Sequence, residues 1–314
     1  MGSVLDALRA PAFADGLRPG LIALAVGLIA ALAWRATGES AHPPVVGLLL
    51  GAAVLFGLSS TGWLPDGLVV GLSALGIAGL VAEVNRTRPL VLAVLAVPGA
   101  WVVVAQGGLV EVGWVQLLVG AAIVAGSVAL ADLDARWADE GAGPVLVAVT
   151  AAAIWATVPE TQQALVLLGA SVPLCLLGWP RVAGALGAGG SCVVVGLLAW
   201  TGAVGGATRL SSVIGAIGCL GLLLVEPLWH RLAGVPDGPL DRLWGRWWAV
   251  LVLAFLHLAV ALTAGTYAGQ QRTIAVAGWI TATALAGTLL AGAVAGRRMN
   301  RELEVSRQGG RPLV

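Results

Sequence analysis

The chain has 314 residues, 59 % of them apolar and 11 % charged, and its mean hydropathy of +0.95 lies far above that of soluble proteins. Seventeen basic residues, all arginine, nearly balance sixteen acids for a formal charge of +1, which excludes a partner held by bulk electrostatics, nucleic acid above all. The solvent addressed by such a composition is lipid, where only helices or closed barrels satisfy every backbone polar group, and apolar runs without period-2 alternation select helices.

Taken in chain order, apolar runs of about 15 to 22 residues predict helices over 17–34, 44–63, 67–82, 89–105, 114–131, 144–158, 164–179, 183–203, 211–229, 247–267 and 274–296. The expected fold is an all-α polytopic transmembrane bundle of about eleven spans. It forms one integral membrane domain over 1–314, with short loops and no soluble domain. The segments 89–105, 144–158 and 164–179 are short, and Pro98-Gly99 and Pro173 interrupt two of them, so re-entrant or broken helices are an alternative there. The first run, followed by Ala31 and Ala33, resembles a signal-peptide core, but the segment before it is long and carries Asp6 and Asp15, which favours an uncleaved span.

Orientation follows from the arginines, which are retained on the cytoplasmic side. One set of alternate loops holds thirteen, namely Arg35, Arg86, Arg88, Arg136, Arg181, Arg231, Arg242, Arg246 and the five from Arg297 to Arg311, and the other set holds four. The expectation is a multi-pass plasma-membrane protein, of the bacterial inner membrane or cell envelope, with residues 1–16 outside and a basic tail, 297–314, in the cytoplasm. Proline near one helix end and tryptophan towards the other recur in Pro44 with Trp63, Pro89 with Trp101 and Pro144 with Trp155, a hint of hairpin repeats that independent selection at the two interfaces also explains. Glycines four residues apart, such as Gly67 and Gly71, permit close helix packing. The glycine-rich stretch 184–190 lacks the Lys-Ser/Thr of a P-loop and a preceding strand, so it is not read as a phosphate cradle.

Few residues carry chemistry. His257, ten residues from both Trp247 and Tyr267, is placed near mid-membrane, where an ionisable group suggests a proton carrier or ligand; a neutral imidazole bonded to a carbonyl or to Thr263 is the simpler reading. Cys175, Cys192 and Cys219 lie in apolar runs and read as small core residues, without metal-motif spacing. No acid falls deep within an expected span, which disfavours proton-driven antiport.

Two cytoplasmic loops gather carboxylates: Asp132, Asp134, Asp139 and Glu140 after the fifth span, and Asp237 and Asp241 before the tenth. Such pairs would hold Mg²⁺ on a diphosphate, with Arg136 and Arg242 on phosphate oxygens. The arrangement loosely resembles the two aspartate-rich loops of membrane prenyltransferases of the UbiA type. The first loop of that family runs roughly N-D-x-x-D-x-x-x-D, whereas this chain has Asp132-Leu133-Asp134-Ala135-Arg136-Trp137-Ala138-Asp139, and its second loop has only Asp237-x-x-x-Asp241. The competing reading makes these acids solvated helix-end groups neutralised by adjacent arginines. The outer acids Asp66, Glu111 and Glu160 read as single surface charges.

With no segment large enough to fold outside the membrane, the expected function is non-enzymatic. The chain would be a permease-like carrier of a small or lipidic solute, or a membrane subunit of an envelope assembly, with membrane lipids, further copies of itself or partner subunits around it and no cofactor. The alternative is an interfacial Mg²⁺-dependent transferase acting on a lipid diphosphate at the cytoplasmic leaflet, with Asp132, Asp134, Asp237 and Asp241 as its metal-binding acids.

Overall fold

The computed structural model describes residues 65–106, 113–136, 142–157 and 186–204, with shorter helical pieces at 164, 166–169 and 171–172 and single helical positions at 25, 29, 213, 216, 217, 220, 254 and 258. Everything ordered into secondary structure among the described residues is helical, with no strand. The described residues contain five longer helices: α1 (Asp66–Val84), α2 (Pro89–Gln106), α3 (Gly113–Arg136), α4 (Ala142–Thr157) and α5 (Gly187–Val204). Of these, α1, α3 and α5 are long and apolar enough to cross a membrane, the mark of a membrane protein. The expected spans 44–63 and 274–296 lie outside the described residues, as does most of the first, ninth and tenth.

Hydropathy locates the helices but not their ends. The run expected over 114–131 is the core of a helix that continues to Arg136, because Leu133, Ala135 and an Asp132–Arg136 pair one turn apart support helix as well as the apolar residues do. Pro98-Gly99, which suggested a break, lies inside a continuous α2. Pro89 opens α2 at the position that needs no N–H donor, and the Arg88 carbonyl accepts from Val91 at 2.9 Å.

The turn between α1 and α2 is a Schellman cap. The Thr87 N–H donates to the Ala82 carbonyl at 2.9 Å and the Arg86 N–H to the Glu83 carbonyl at 3.0 Å. Such caps usually place glycine at the residue with positive φ, but here Arg86 holds φ +49°. A non-glycine residue in that region costs about 1–2 kcal/mol.

Within lipid, helices gain no hydrophobic driving force by meeting, so close van der Waals fit decides their contacts. Glycine supplies it. A Cβ on Gly71 would lie 2.6 Å from the Val103 nitrogen, and one on Gly99 would lie 2.8 Å from the Leu75 nitrogen, so α1 and α2 approach each other through reciprocal glycines. On the other side of α1, a Cβ on Gly79 would collide with the Ala188 carbonyl oxygen, and one on Gly196 would lie 2.7 Å from Leu75 Cδ1. A Cβ on Gly126 of α3 would come 3.0 Å from Val195 Cγ1 of α5. Among the described helices α5 therefore sits at the centre, packed by α1 and α3 and buried along nearly its whole length, while α1 and α3 each bury less than half of theirs. Helix α2 is peripheral and exposes Leu90, Val94, Val97 and Trp101.

These contacts predict that Gly79→Ala lowers thermal stability in detergent by about 1–3 kcal/mol, the usual cost of overpacking. Gly113→Ala, whose Cβ meets nothing within 4 Å, should leave stability unchanged or slightly raised. Equal melting temperatures for the two variants would show that interhelical approach is not what the glycines provide.

Candidate functional site

A helix that begins inside a bundle brings unpaired N–H groups with it. At the start of α5 two acids from distant parts of the chain accept them. Gly187 N–H donates to Asp134 Oδ2 at 2.9 Å, and Ala188 N–H donates to Glu83 Oε2 at 2.9 Å. Asp134 comes from the last turn of α3 and Glu83 from the last turn of α1, so the ends of α1 and α3 and the start of α5 share one end of the bundle. Gly187 has φ +66°, and a Cβ there would lie 2.7 Å from Glu83 Oε2; only glycine allows the carboxylate so close.

Asp134 is only 1 % exposed. Its Oδ1 lies against Gly143 in the first turn of α4, where a Cβ would collide with it. The carboxyl is thus wedged between the first turns of α4 and α5, whose positive dipole ends favour negative charge and offset part of the cost of its removal from water. Oδ1 itself has no hydrogen-bond partner among the described residues.

The two first-loop acids part company here. Asp132, two residues away and so on the far side of the helix, forms an ion pair with Arg136 at 2.9 Å, both side chains partly exposed. That pair matches an acid neutralised by a neighbouring arginine. Asp134 differs from the solvated group expected of it: it is buried and bonded to backbone, because α5 happens to start beside it. Asp139, Glu140, Asp237, Asp241, Arg242, His257, Cys175 and Cys219 lie outside the described residues. Cys192 is a buried free thiol in α5, and among the described residues no group of three or more His, Cys, Asp or Glu side chains is placed to hold a metal ion.

Glu83 was missed in the sequence because it falls one residue beyond an apolar run, where an acid reads as loop. The usable signal was elsewhere: a helix that starts at Gly187, with Leu186 before it and no capping side chain of its own, must borrow acceptors from other helices.

Glu83 and Asp134 also line a chamber of about 330 Å³, with Arg86, Thr87 and Asp132 around it. An apolar groove of about 700 Å³ adjoins it between α2 and α3, running from Pro89 and Ala129 to Trp101 and Gln116. Pro89 and Val128 line both spaces, so the groove leads into the chamber. Twelve helical residues separate Pro89 from Trp101, a rise of about 18 Å, comparable to one leaflet of a hydrocarbon core about 30 Å thick.

No protein-family model matches this chain, and none of the curated proteins matches it. The functional reading therefore rests on the site's geometry.

Replacing Asp134 by alanine leaves the Gly187 N–H buried without an acceptor, so it should cost about 1–3 kcal/mol. Asp132→Ala breaks only a partly exposed pair and should cost under about 1 kcal/mol. Thermal unfolding of both variants in detergent measures the difference, and an equal or reversed order would contradict the capping role of Asp134.

Proposed function

We propose that this protein is a non-enzymatic, multi-pass plasma-membrane protein that binds and carries a lipidic solute. The observation that carries the reading is the continuity of an apolar groove between α2 and α3 with a charged chamber at the bundle's end. Both volumes fall in the range of about 300–1,000 Å³ usual for small-molecule sites. An amphiphile has the matching form, with a chain for the groove and a polar head for the chamber. The interfacial Mg²⁺ transferase draws less support, since Asp132 is engaged by Arg136 and Asp134 by the Gly187 amide.

The same end of the bundle carries Arg86, Arg88 and Arg136, which supports assigning it to the cytoplasmic side within a topology of about eleven spans, amino terminus outside. A reporter active only outside the cytoplasm should stay silent when fused after Arg136 or after Val314. Strong activity from either fusion would reverse the orientation.

The carrier reading is tested by mass spectrometry of what co-purifies in mild detergent. The wild type should retain lipid. Ala121→Phe with Ala125→Phe, two exposed positions on the groove, should reduce that retention by about tenfold at unchanged melting temperature. Retention that is absent in the wild type, or undiminished in the double variant, would overturn the reading.

A further inference from the structure

The geometry points to an aminophospholipid as the occupant, with its primary ammonium on Glu83, its phosphate on Arg86 and an acyl chain in the groove between α2 and α3. This rests on the lipidic reading above and adds the identity of the head.

Charge sorting within the chamber carries the assignment. Of its four charged side chains, Asp132 is neutralised by Arg136 at 2.9 Å and Asp134 is held by the Gly187 amide between two helix starts. Glu83 and Arg86 remain, one of each sign. Glu83 commits Oε2 to the Ala188 N–H and is only half buried, so its carboxylate retains capacity to accept from a donor in the chamber. No hydrogen bond or ion pair within the described residues engages the Arg86 guanidinium, a fork suited to phosphate oxygens. A zwitterion with a primary amine and a phosphodiester complements this pair. A purely anionic head would face Glu83 unpaired, and a quaternary amine has no N–H to give it.

Arg86 supplies an independent observation. It occupies the left-handed position of a Schellman cap, where glycine would be relaxed. Backbone strain of this kind persists at binding sites, where the side chain has work that the relaxed residue cannot do.

The groove cannot supply the selectivity, because an acyl chain moving there from the bilayer exchanges one apolar medium for another. Discrimination among lipids falls to the head.

The test uses the purified full chain, exchanged into mixed micelles holding equal amounts of phosphatidylethanolamine, phosphatidylglycerol and phosphatidylcholine with identical chains, and mass spectrometry of the retained lipid. The wild type should enrich phosphatidylethanolamine about tenfold over the other two. Glu83→Gln keeps an acceptor for the Ala188 N–H but loses the charge, and should abolish the preference. Arg86→Gly should lower retention of all three lipids, whose phosphate is common, while raising the melting temperature, so loss of folding cannot explain that result. Lipid retained by the wild type without head preference, a wild-type preference persisting in Glu83→Gln, or undiminished retention in Arg86→Gly overturns the aminophospholipid assignment and leaves the lipid carrier standing. A wild type that retains no lipid at all removes both.

Discussion

The arrangement depends on how the first turn of α5 is satisfied. A helix that starts inside a bundle brings N–H groups its own turns cannot satisfy, and each one left buried and unpaired costs about 1–3 kcal/mol. Glu83 and Asp134 remove that cost, and in doing so they fix the ends of α1 and α3 against the start of α5. The bonds join residues 53 and 105 positions apart in sequence. They also set the direction of the helices, since α1 and α3 must end where α2, α4 and α5 begin.

Glycine packing and carboxylate capping are two parts of one constraint. Ala188 receives Glu83 through its N–H while its carbonyl oxygen lies where a Cβ on Gly79, one turn earlier in α1, would be. Any side chain at Gly79 would push α5 outward and lengthen the Ala188–Glu83 bond. Gly187 and Gly143 do the same for the carboxylates themselves, leaving room that a methyl would fill. The acids can be buried because the residues opposite them lack side chains. That is a better account of the glycines near this end than a generic small-residue motif.

Hydropathy made the helical class and the position of each described span legible, because a run of apolar residues long enough to cross lipid has few other uses. It misplaced the end of α3 by five residues, since it marks where lipid stops rather than where the helix does. The break that Pro98-Gly99 offered as an alternative is instead a helix contact, for Gly99 serves Leu75 of α1, and only the partner helix reveals that. The distinction between Asp132 and Asp134 was illegible for a similar reason. Two acids two residues apart look alike in sequence, yet one faces Arg136 and the surface while the other faces a helix start more than 50 residues away. Local charge pattern contains the first relationship and not the second.

The division of labour between groove and chamber follows from the solvent. In water, an apolar groove of this size would dominate binding through the area it hides. In a bilayer that term vanishes, because the competing state of the chain is equally apolar. What distinguishes one lipid from its neighbours is then the head, in a setting drier than bulk water where charge pairs are strengthened. Such a site needs few polar residues, provided they are held rigidly and their signs are not cancelled by the protein itself. Among the described residues, Asp132 is engaged by Arg136 and Asp134 by the start of α5, while Arg86 stands in a strained turn beside Glu83. A nearly charge-free interior is thus compatible with the selective recognition proposed for the end of the bundle where these acids and arginines meet.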